Sequence, residues 1–457
     1  MELFNTDDRR PVHFMGIGGA GMSALALIAC RRGIPVSGCD NDPSGAADVA
    51  ALGAVVHRGH DPSHVEGARA VVVTAAVKPD HPELVHARAL GVPVVPRKEA
   101  LAALIAGART VAAAGTHGKT TTTVMTTEAL TAAGLSPTGL AGGRVSSWGG
   151  NAKLAGSGLF VVEADEYDKA FLTLHPTVAI VNNVEADHLE CYGSVAALED
   201  AFAEFAGRAD TALIGADDAG ARRVGRRLRN RTWLFGTAPD ADLRIGEVTS
   251  AAGGSRAEVT LPDGRVVTLT LRVPGMHNLR NAVGALGAVL ALEAPIEPAL
   301  EALAAYGGVG RRFERLGECG GVELVDDYAH HPTELVATLA AARQAFPGRR
   351  LVAVFQPHLY SRTAQHAEAM GIALSAADLA VVTEIYAARE TPLPGVSGRL
   401  VADAAGKAGV RVIFEPDRAA LGRRVLAALE PGDVVLTLGA GDITRLGPEL
   451  AEWLSAA

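Results

Sequence analysis

The chain has 457 residues, 51 acidic against 42 basic side chains, a net charge of -9 and an isoelectric point near 5.9. That length gives roughly three domains of ordinary size, and the acidic balance argues against a nucleic-acid partner, whose phosphates need a basic face. Cys30, Cys39, Cys191 and Cys319 are scattered without CxxC spacing, so they imply neither a zinc site nor a disulfide framework. No apolar run reaches the ~18 residues of a membrane span. The start MELFNTDDRR is polar and acidic, so no membrane insertion and a cytoplasmic location are expected. The arginine-rich run 222–231 reads as a solvated helix face.

Residues 11–15 read as a buried strand entering Gly16-Ile17-Gly18-Gly19-Ala20-Gly21, with a helix over 22–32. Asp40 ends the next strand, VSGCD, at about the distance of a ribose-binding acid. GxGxxG in this setting specifies a nucleotide phosphate without choosing the nucleotide, so an NAD-dependent enzyme stays open here. Strands at 70–74 and 93–95 and helices around 44–52 and 82–90 complete an α/β unit that ends near Gly107.

Residues 111–123, VAAAGTHGKTTTT, form a strand, a glycine turn and the start of a helix. Backbone N–H groups and the positive end of the helix dipole then meet in one volume suited to phosphate oxygens. Gly115, Thr116, His117, Gly118 and Thr121 shape this loop, Lys119 offers charge to the β- and γ-phosphates, and Thr120 offers a hydroxyl to Mg²⁺. Ala113 stands where the strict Walker pattern has its first glycine, so the motif is a variant. A strand at 159–162 delivers Glu163, Asp165 and Glu166, and another at 177–181 delivers Asn182, Asn183, Glu185, Asp187 and His188. Carboxylates and an imidazole at the carboxyl ends of strands beside a phosphate loop predict Mg²⁺ or Mn²⁺.

Residues 243–273 read as a small β-meander with a Pro262-Asp263-Gly264 turn. PGMHNLRN then opens an alanine-rich helix to Leu292, where Asn278 either reads an adenine edge or caps the helix. After Arg311-Arg312-Phe313-Glu314, strands at 322–325, 351–355, 379–383, 410–414 and 434–438 alternate with helices, as in a doubly wound sheet. Polar residues gather at the strand ends: Asp326, Asp327, Tyr328, His330 and His331; Gln356, His358, Tyr360 and Arg362; Glu384, Tyr386 and Arg389; then 439–442. Adjacent His330 and His331 point in different directions, which disfavours joint chelation.

Taken together, GIGGAGMS, GTHGKTTT, EADEYD, NNVEADHLECYGS, HNLRNA, RRFE, DDYAHHPTE, FQPHLYSRT, EIYAARE and GAGDI resemble the Mur ligases of peptidoglycan synthesis, along essentially the whole chain. The resemblance implies an α/β protein of three domains. Residues 1–107 would be a Rossmann-like UDP-sugar domain and 108–309 a P-loop ATPase-type domain carrying the meander. Residues 310–457 would be a Rossmann-like doubly wound sheet that closes over ATP and the amino acid. It further implies ATP and Mg²⁺ (or Mn²⁺) as cofactors, UDP-N-acetylmuramate and L-alanine as substrates, and a monomer or weak homodimer. The carboxylate of the sugar would attack the γ-phosphate to give an acyl phosphate, which the amine then displaces.

Carried over by position, Gly16, Gly18, Gly19, Gly21 and Asp40 would serve the UDP-sugar. Lys119, Glu163, Asn183 and His188 would act in catalysis, with Thr120, Glu163 and His188 as metal ligands. Asn278, Arg312 and Asp327 would contact ATP, and Tyr328, His330, His358 and Arg362 the amino acid. Leu359 stands where some members carry arginine, implying a carboxylate clamp with one cation fewer. Sister ligases carry a carbamylated lysine, but no lysine lies between Lys169 and Lys407, which favours the alanine-adding branch. A ligase that recycles a preformed tripeptide is the nearest alternative. An NAD-dependent oxidoreductase would leave GTHGKT unused, and a P-loop switch protein would not need the first glycine loop.

Overall fold

The computed structural model describes residues 3–251, 254–388 and 390–456; Arg389, named above, lies outside them. The chain forms two compact units by its internal contacts, Met1–Gly246 with Glu258–Leu269 and Arg280–Ala304, and Glu247–Ala257 with Thr270–Leu279 and Ala305–Ala457. Three sheets run through it, as the α/β reading requires.

The first sheet contains β1 (Val12–Met15), β2 (Val36–Asp40), β3 (Val55–Arg58), β4 (Ala70–Val73) and β5 (Val94–Pro96), all parallel in the order β3-β2-β1-β4-β5. The order reverses between β1 and β4, so the loop after β1 opens into the crevice where such sheets bind ligands. Every residue of β1 is buried because helices cover both faces of a parallel sheet. The helix Ala20–Arg31 follows the glycine loop directly.

The second sheet begins with β6 (Arg109–Ala114), β7 (Thr138–Val145), β8 (Gly150–Lys153), β9 (Leu159–Glu163), β10 (Val178–Val181), β11 (Thr211–Gly215) and β12 (Arg231–Gly236). The meander β13 (Leu243–Ala251), β14 (Gly254–Thr260) and β15 (Val266–Leu271) completes the order β15-β14-β13-β12-β11-β10-β6-β9-β7-β8. β6 lies between β10 and β9, both parallel to it, so the chain segments leaving these three strands converge at one edge. Fully buried Phe160, Phe171, Phe202 and Phe205 fill the space beneath, with Phe171 stacked on Phe205 and edge-on to Phe202 at 5.0 Å each.

The third sheet has β16 (Glu314–Cys319), β17 (Val322–Asp327), β18 (Leu351–Phe355), β19 (Leu379–Val382), β20 (Arg411–Phe414) and β21 (Val434–Leu438), ordered β16-β17-β21-β18-β19-β20. Only β16 runs antiparallel.

The sequence reading omitted β3, β7, β8, β11, β12 and β16. β3 and β16 are edge strands with partly exposed residues, β7 is interrupted by Gly139, Gly142 and Gly143, and β12 is half-exposed at its start, so these lack the continuous apolar run of a buried strand. β11 is fully buried, but its apolar run of Ala212, Leu213 and Ile214 is too short to stand out. The arginine run is also more varied than one helix face. The helix Ala219–Gly225 ends within it, Arg222, Arg223 and Arg227 pair with Asp240, Glu199 and Asp200, and Arg231 on β12 stacks over Trp233.

Backbones approach closely where the first glycine loop is held. A Cβ on Gly45 would lie 2.1 Å from the carbonyl oxygen of Gly18. Gly45→Ala is therefore expected to destabilise the N-terminal sheet region by about 1–3 kcal/mol, read as a fall in the urea midpoint; an unchanged midpoint would contradict the close approach.

Candidate active site

The first glycine loop is tied down by the end of β2. Gly16 takes a positive φ of 75°, its N–H donates to Cys39 O at 2.8 Å, and the Gly18 N–H donates to Asp40 Oδ2 at 2.9 Å. Asp40 also accepts from the Asp42 N–H at 2.9 Å. The expected ribose acid thus spends both carboxylate oxygens holding backbone. A Cβ on Gly18 would sit 2.3 Å from Asp42 O, so that position excludes a side chain, and one on Gly21 would sit 2.8 Å from Arg97 Nη1 and displace that guanidinium. Gly19 accommodates the turn by donating to Gly16 O at 3.1 Å.

At the second loop, Gly115 and Gly118 adopt φ of 138° and 80°, and the helix Lys119–Ala132 starts immediately after. Asn183 clamps the loop: its Oδ1 accepts from the His117 N–H at 2.7 Å and its Nδ2 donates to His117 O at 3.3 Å. Thr116 N–H reaches Asn183 O at 3.2 Å, and the Glu185 N–H donates to Thr116 Oγ1 at 2.9 Å. In this structure Asn183 holds the loop backbone. Thr121, buried, lies on the first turn of the helix.

Lys119 is folded back onto its own loop. Its Nζ donates to Gly115 O at 2.7 Å, Thr116 O at 3.3 Å and Glu166 Oε1 at 2.8 Å. Burial opposes the lysine's charge, but Glu166 and Asp165 outweigh it and raise the lysine above its ordinary range. Burial pushes the Glu166 carboxyl up despite the lysine. Glu166 Oε2 is buried without a hydrogen-bond partner, an acceptor aimed at the same place. The sequence offered the EADE run without saying which acid meets the lysine.

Thr120 Oγ1 donates to Glu163 Oε2 at 2.8 Å, and the Gly142 N–H donates to the same oxygen at 2.7 Å. A Cβ on Gly142 would lie 2.6 Å from that carboxylate, so a side chain there would displace Glu163. Two hard oxygen donors this close, beside a phosphate-type loop, fit a Mg²⁺-class cation. His188, in the left-handed region at φ 52°, caps the helix Leu189–Tyr192 and packs edge-on to Tyr167 at 5.1 Å. Its ring reaches Glu190 at 3.4 Å and Asp187 at 3.8 Å, rather than the Thr120–Glu163 pair.

A cleft of about 290 Å³ lies between the first glycine loop and the ends of β7 and β9. Gly19, Gly21 and Met22 line one side, and Glu163, Asp165, Gly142 and Arg97 the other. Arg97 stands 3.6 Å from Asp165 and against Gly21, a cation at the start of the first helix that no sequence motif revealed. Asn281, whose Oδ1 would be 2.6 Å from a Cβ on Gly118, is another residue of the loop's surroundings that went unassigned.

In the other unit, Asn278 neither caps its helix nor stays open: its Nδ2 donates to Pro274 O at 2.7 Å. Asp327 Oδ2 accepts from the Phe313 N–H at 2.7 Å and its Oδ1 from the Ala329 N–H at 2.8 Å. These bonds hold Arg311 (φ 60°) and Phe313 (φ 50°) in left-handed conformations, and such strain collects at functional sites. Burial raises the Asp327 carboxyl to about 6. Arg311 and Arg312 both lie over the Tyr328 ring, at 4.8 and 5.0 Å.

The four residues expected to hold the amino acid are brought together. Tyr328 meets His330 edge-on at 5.1 Å, His330 meets His358 at 5.5 Å, and His358 Nδ1 is 3.3 Å from Arg362 Nη1. The His330 Nδ1 is 2.9 Å from Tyr328 O, and burial lowers its pKa. Glu334 accepts the His330 and His331 N–H groups at 3.0 and 3.2 Å and stands 3.8 Å from Arg312, a role carried by the HHPTE run. Leu359 takes φ 69° at the start of the helix Tyr360–Leu374, with Tyr386 stacked on His358.

Two nucleotide-type glycine loops on separate sheets, one of them with a lysine and a hydroxyl–carboxylate pair, define a nucleotide-dependent enzyme of the group-transfer class. Comparison with known proteins makes this specific. The "Mur ligase family, catalytic domain" model matches residues 11–109, the "Mur ligase middle domain" model 113–289 and the "Mur ligase, glutamate ligase domain" model 311–441. UDP-N-acetylmuramate–L-alanine ligases of Streptomyces coelicolor and Streptomyces griseus are 48% and 46% identical to this chain, each covering 97% of both chains. A solved UDP-N-acetylmuramate–alanine ligase from Thermotoga maritima is 30% identical with a TM-score of 0.84, covering 98% of this chain and 99% of its own. A murein peptide ligase from Psychrobacter arcticus shares the fold at a TM-score of 0.72 and 22% identity. The chain belongs to the Mur ligase family.

The buried Asp327 carboxyl gives a pH prediction. Its folded pKa lies above the ordinary 3.8, so its protonated form is favoured by folding. That stability is fully present below pH 4 and lost as the pH rises through about 6, on the order of 3 kcal/mol. Measured by chemical denaturation, wild type minus Asp327→Asn should fall between pH 4 and 6 and stay level above; a level difference throughout would contradict the assignment.

Proposed function

We propose that the chain joins L-alanine to the carboxylate of UDP-N-acetylmuramate at the expense of ATP, giving UDP-N-acetylmuramoyl-L-alanine, ADP and phosphate for peptidoglycan. The observation that carries this reading is the cleft in which the first glycine loop faces Glu163, since a sugar nucleotide bound there directs its far end toward the carboxylate–hydroxyl pair. The curated alanine ligases, similar at 43–48% identity over nearly their whole length, support this acceptor over the tripeptide of the recycling enzymes.

In this reading the domains 1–107, 108–309 and 310–457 divide the work. The N–H groups at the start of the helix Ala20–Arg31, with Arg97 beside them, receive the diphosphate of the sugar nucleotide. The loop 115–118 and the helix dipole behind Lys119 cradle the ATP phosphates. Lys119 leaves Gly115 O and Thr116 O to screen the approach of one anion to another, while Glu166 keeps it charged and aimed.

Thr120 and Glu163 would hold Mg²⁺ or Mn²⁺, with His188 joining them only if its ring turns from Asp187 and Glu190, and the cation would supply positive charge for the phosphoryl transfer. Asn183 keeps the loop's N–H groups pointing inward. Asn278, Arg312 and Asp327 serve the nucleotide, Asp327 by fixing the backbone that presents Arg312. Arg362 and His358 grip the α-carboxylate of the amino acid, and Tyr328 and His330 close a small pocket around its amine. The neutral His330 ring, fixed by Tyr328 O, can accept a proton from the attacking amine. We assign the activity to the cytoplasm, where ATP and UDP-sugars are available, and to a monomer or weak homodimer.

The test is phosphate release with ATP, Mg²⁺ and UDP-N-acetylmuramate while L-alanine, D-alanine, glycine or the tripeptide is added in turn, with mass detection of the product. Release dependent on L-alanine, with one alanine gained, is expected; release only with the tripeptide would move the chain to the recycling reaction. Lys119→Met should lower kcat by about 10²–10³-fold without abolishing UDP-sugar binding by calorimetry. Arg362→Lys should raise KM for L-alanine by about tenfold or more and leave KM for the sugar nucleotide unchanged; a shift in both would argue against a carboxylate clamp.

A further inference from the structure

The N-terminal sheet carries a second polar cluster that the ligation chemistry does not use. Strand alternation turns Val12 and Phe14 into the main core and His13 and Met15 to the opposite face. Register pairs His13 with Ser37 and Met15 with Cys39, so His13 and Cys39 share that face. The helix Pro82–Ala89 covers it and drives Glu83 inside, and His13, Cys39 and Glu83 are all completely buried. The loop after β3 adds His60.

Around Cys39 Sγ stand His13 Nε2 at 3.4 Å, His60 Nδ1 at 3.4 Å and Glu83 Oε1 at 3.3 Å. His60 Nδ1 is 3.0 Å from Glu83 Oε2. With Zn–N and Zn–O bonds near 2.0 Å and Zn–S near 2.3 Å, the edges between donors of a tetrahedral site are about 3.3–3.5 Å. The separations at Cys39 and Glu83 are close to those edges, and the ligand atoms of the buried trio His13, Cys39 and Glu83 all lie within 4.8 Å of one another, so side-chain movement about Cys39 and Glu83 would bring the donors around one cation. The outer partners are also in place. His13 Nδ1 is 3.0 Å from Ser37 Oγ, which fixes the ring with Nε2 toward the sulfur. Glu83 is held by the Asp61 N–H and by His64 Nδ1, both at 3.1 Å, with His64 stacked on His57 at 4.1 Å. His81 Nδ1 stands 3.8 Å from Glu83.

We infer that His13, Cys39, His60 and Glu83 form a binding site for one zinc-class divalent cation that braces the first glycine loop from behind. Thiolate and imidazole donors select such a metal over Mg²⁺, so the site is chemically distinct from the oxygen donors at Glu163. On binding, the Cys39 thiol loses its proton to solvent and sulfur bonds the metal. The link to function is Cys39 itself: its side chain lies in the cluster and its carbonyl accepts the N–H groups of Gly16 and Ile17, at 2.8 and 3.2 Å. The sequence hides this site because its donors, spread over residues 13, 39, 60 and 83, fit no compact ligand spacing.

The experiment is a Co²⁺ titration of the chelator-stripped, untagged full chain in excess Mg²⁺, which keeps the hard oxygen sites filled. Expected are about one Co²⁺ per chain, intense tetrahedral visible bands, a near-ultraviolet thiolate-to-cobalt band, and displacement of all of these by Zn²⁺. Cys39→Ser should abolish the thiolate band, and Cys30→Ser should leave it unchanged. Should Cys39→Ser fail to fold, His60→Ala, at a partly exposed position, carries the test and should weaken binding by more than about tenfold. Absence of a thiolate band in the wild type, its persistence in folded Cys39→Ser, or unweakened binding in His60→Ala would overturn the inference.

Discussion

A buried ammonium must have a counter-charge, and here that requirement ties the phosphate loop to the sheet beside it. Lys119 is enclosed by its own loop carbonyls and by Glu166, which β9 delivers three residues beyond Glu163. Removing either partner would leave a charge uncompensated in a largely buried place, a cost of up to about 3–5 kcal/mol. The same pair explains why loops from β6, β9 and β10 lie where they do: Glu166 meets Lys119, Glu163 meets Thr120, and Asn183 meets His117. The lysine is therefore a structural anchor of the phosphate loop.

Much of the acidic and amide machinery positions backbone. Asp40 holds the first glycine loop, Asn183 the second, and Asp327 the strained turn of Arg311 and Phe313. Each is a polar group at the carboxyl end of a strand, accepting N–H groups that would otherwise be unpaired in a crowded loop. An anion-binding loop gains from this, because its remaining N–H groups are fixed before any ligand arrives and little reorganisation is needed. The close approaches at Gly18, Gly21 and Gly142 serve the same end, since a Cβ at any of them would push the loop from its partner.

The residues after β17 and β18 form a single cluster of aromatic and cationic contacts. Tyr328 lies under Arg311 and Arg312 and against His330, which in turn meets His358 and, through it, Arg362. Ring faces and edges fix these side chains at little entropic cost, because each has few rotatable bonds.

The sequence by itself determined the two glycine loops, the alternation of strand and helix, and the strand ends at which polar residues collect, because these depend on local pattern: apolar runs, glycine at forced turns, and short spacings. It also supplied the Mur ligase resemblance along the whole chain. Only the tertiary structure decided which acid meets Lys119, that Asn183 and Asp327 bind backbone, that Arg97 stands in the cleft, and that His13, Cys39 and Glu83 share one buried face beside His60. Edge strands such as β3 and β16 also emerged only there, since an edge buries too little surface to write a hydrophobic period into the chain. Those decisions belong to packing between elements distant in sequence, where the hydrogen-bond partner of a buried polar group is set by sheet order and register, and neither is encoded in the spacing of residues along the chain.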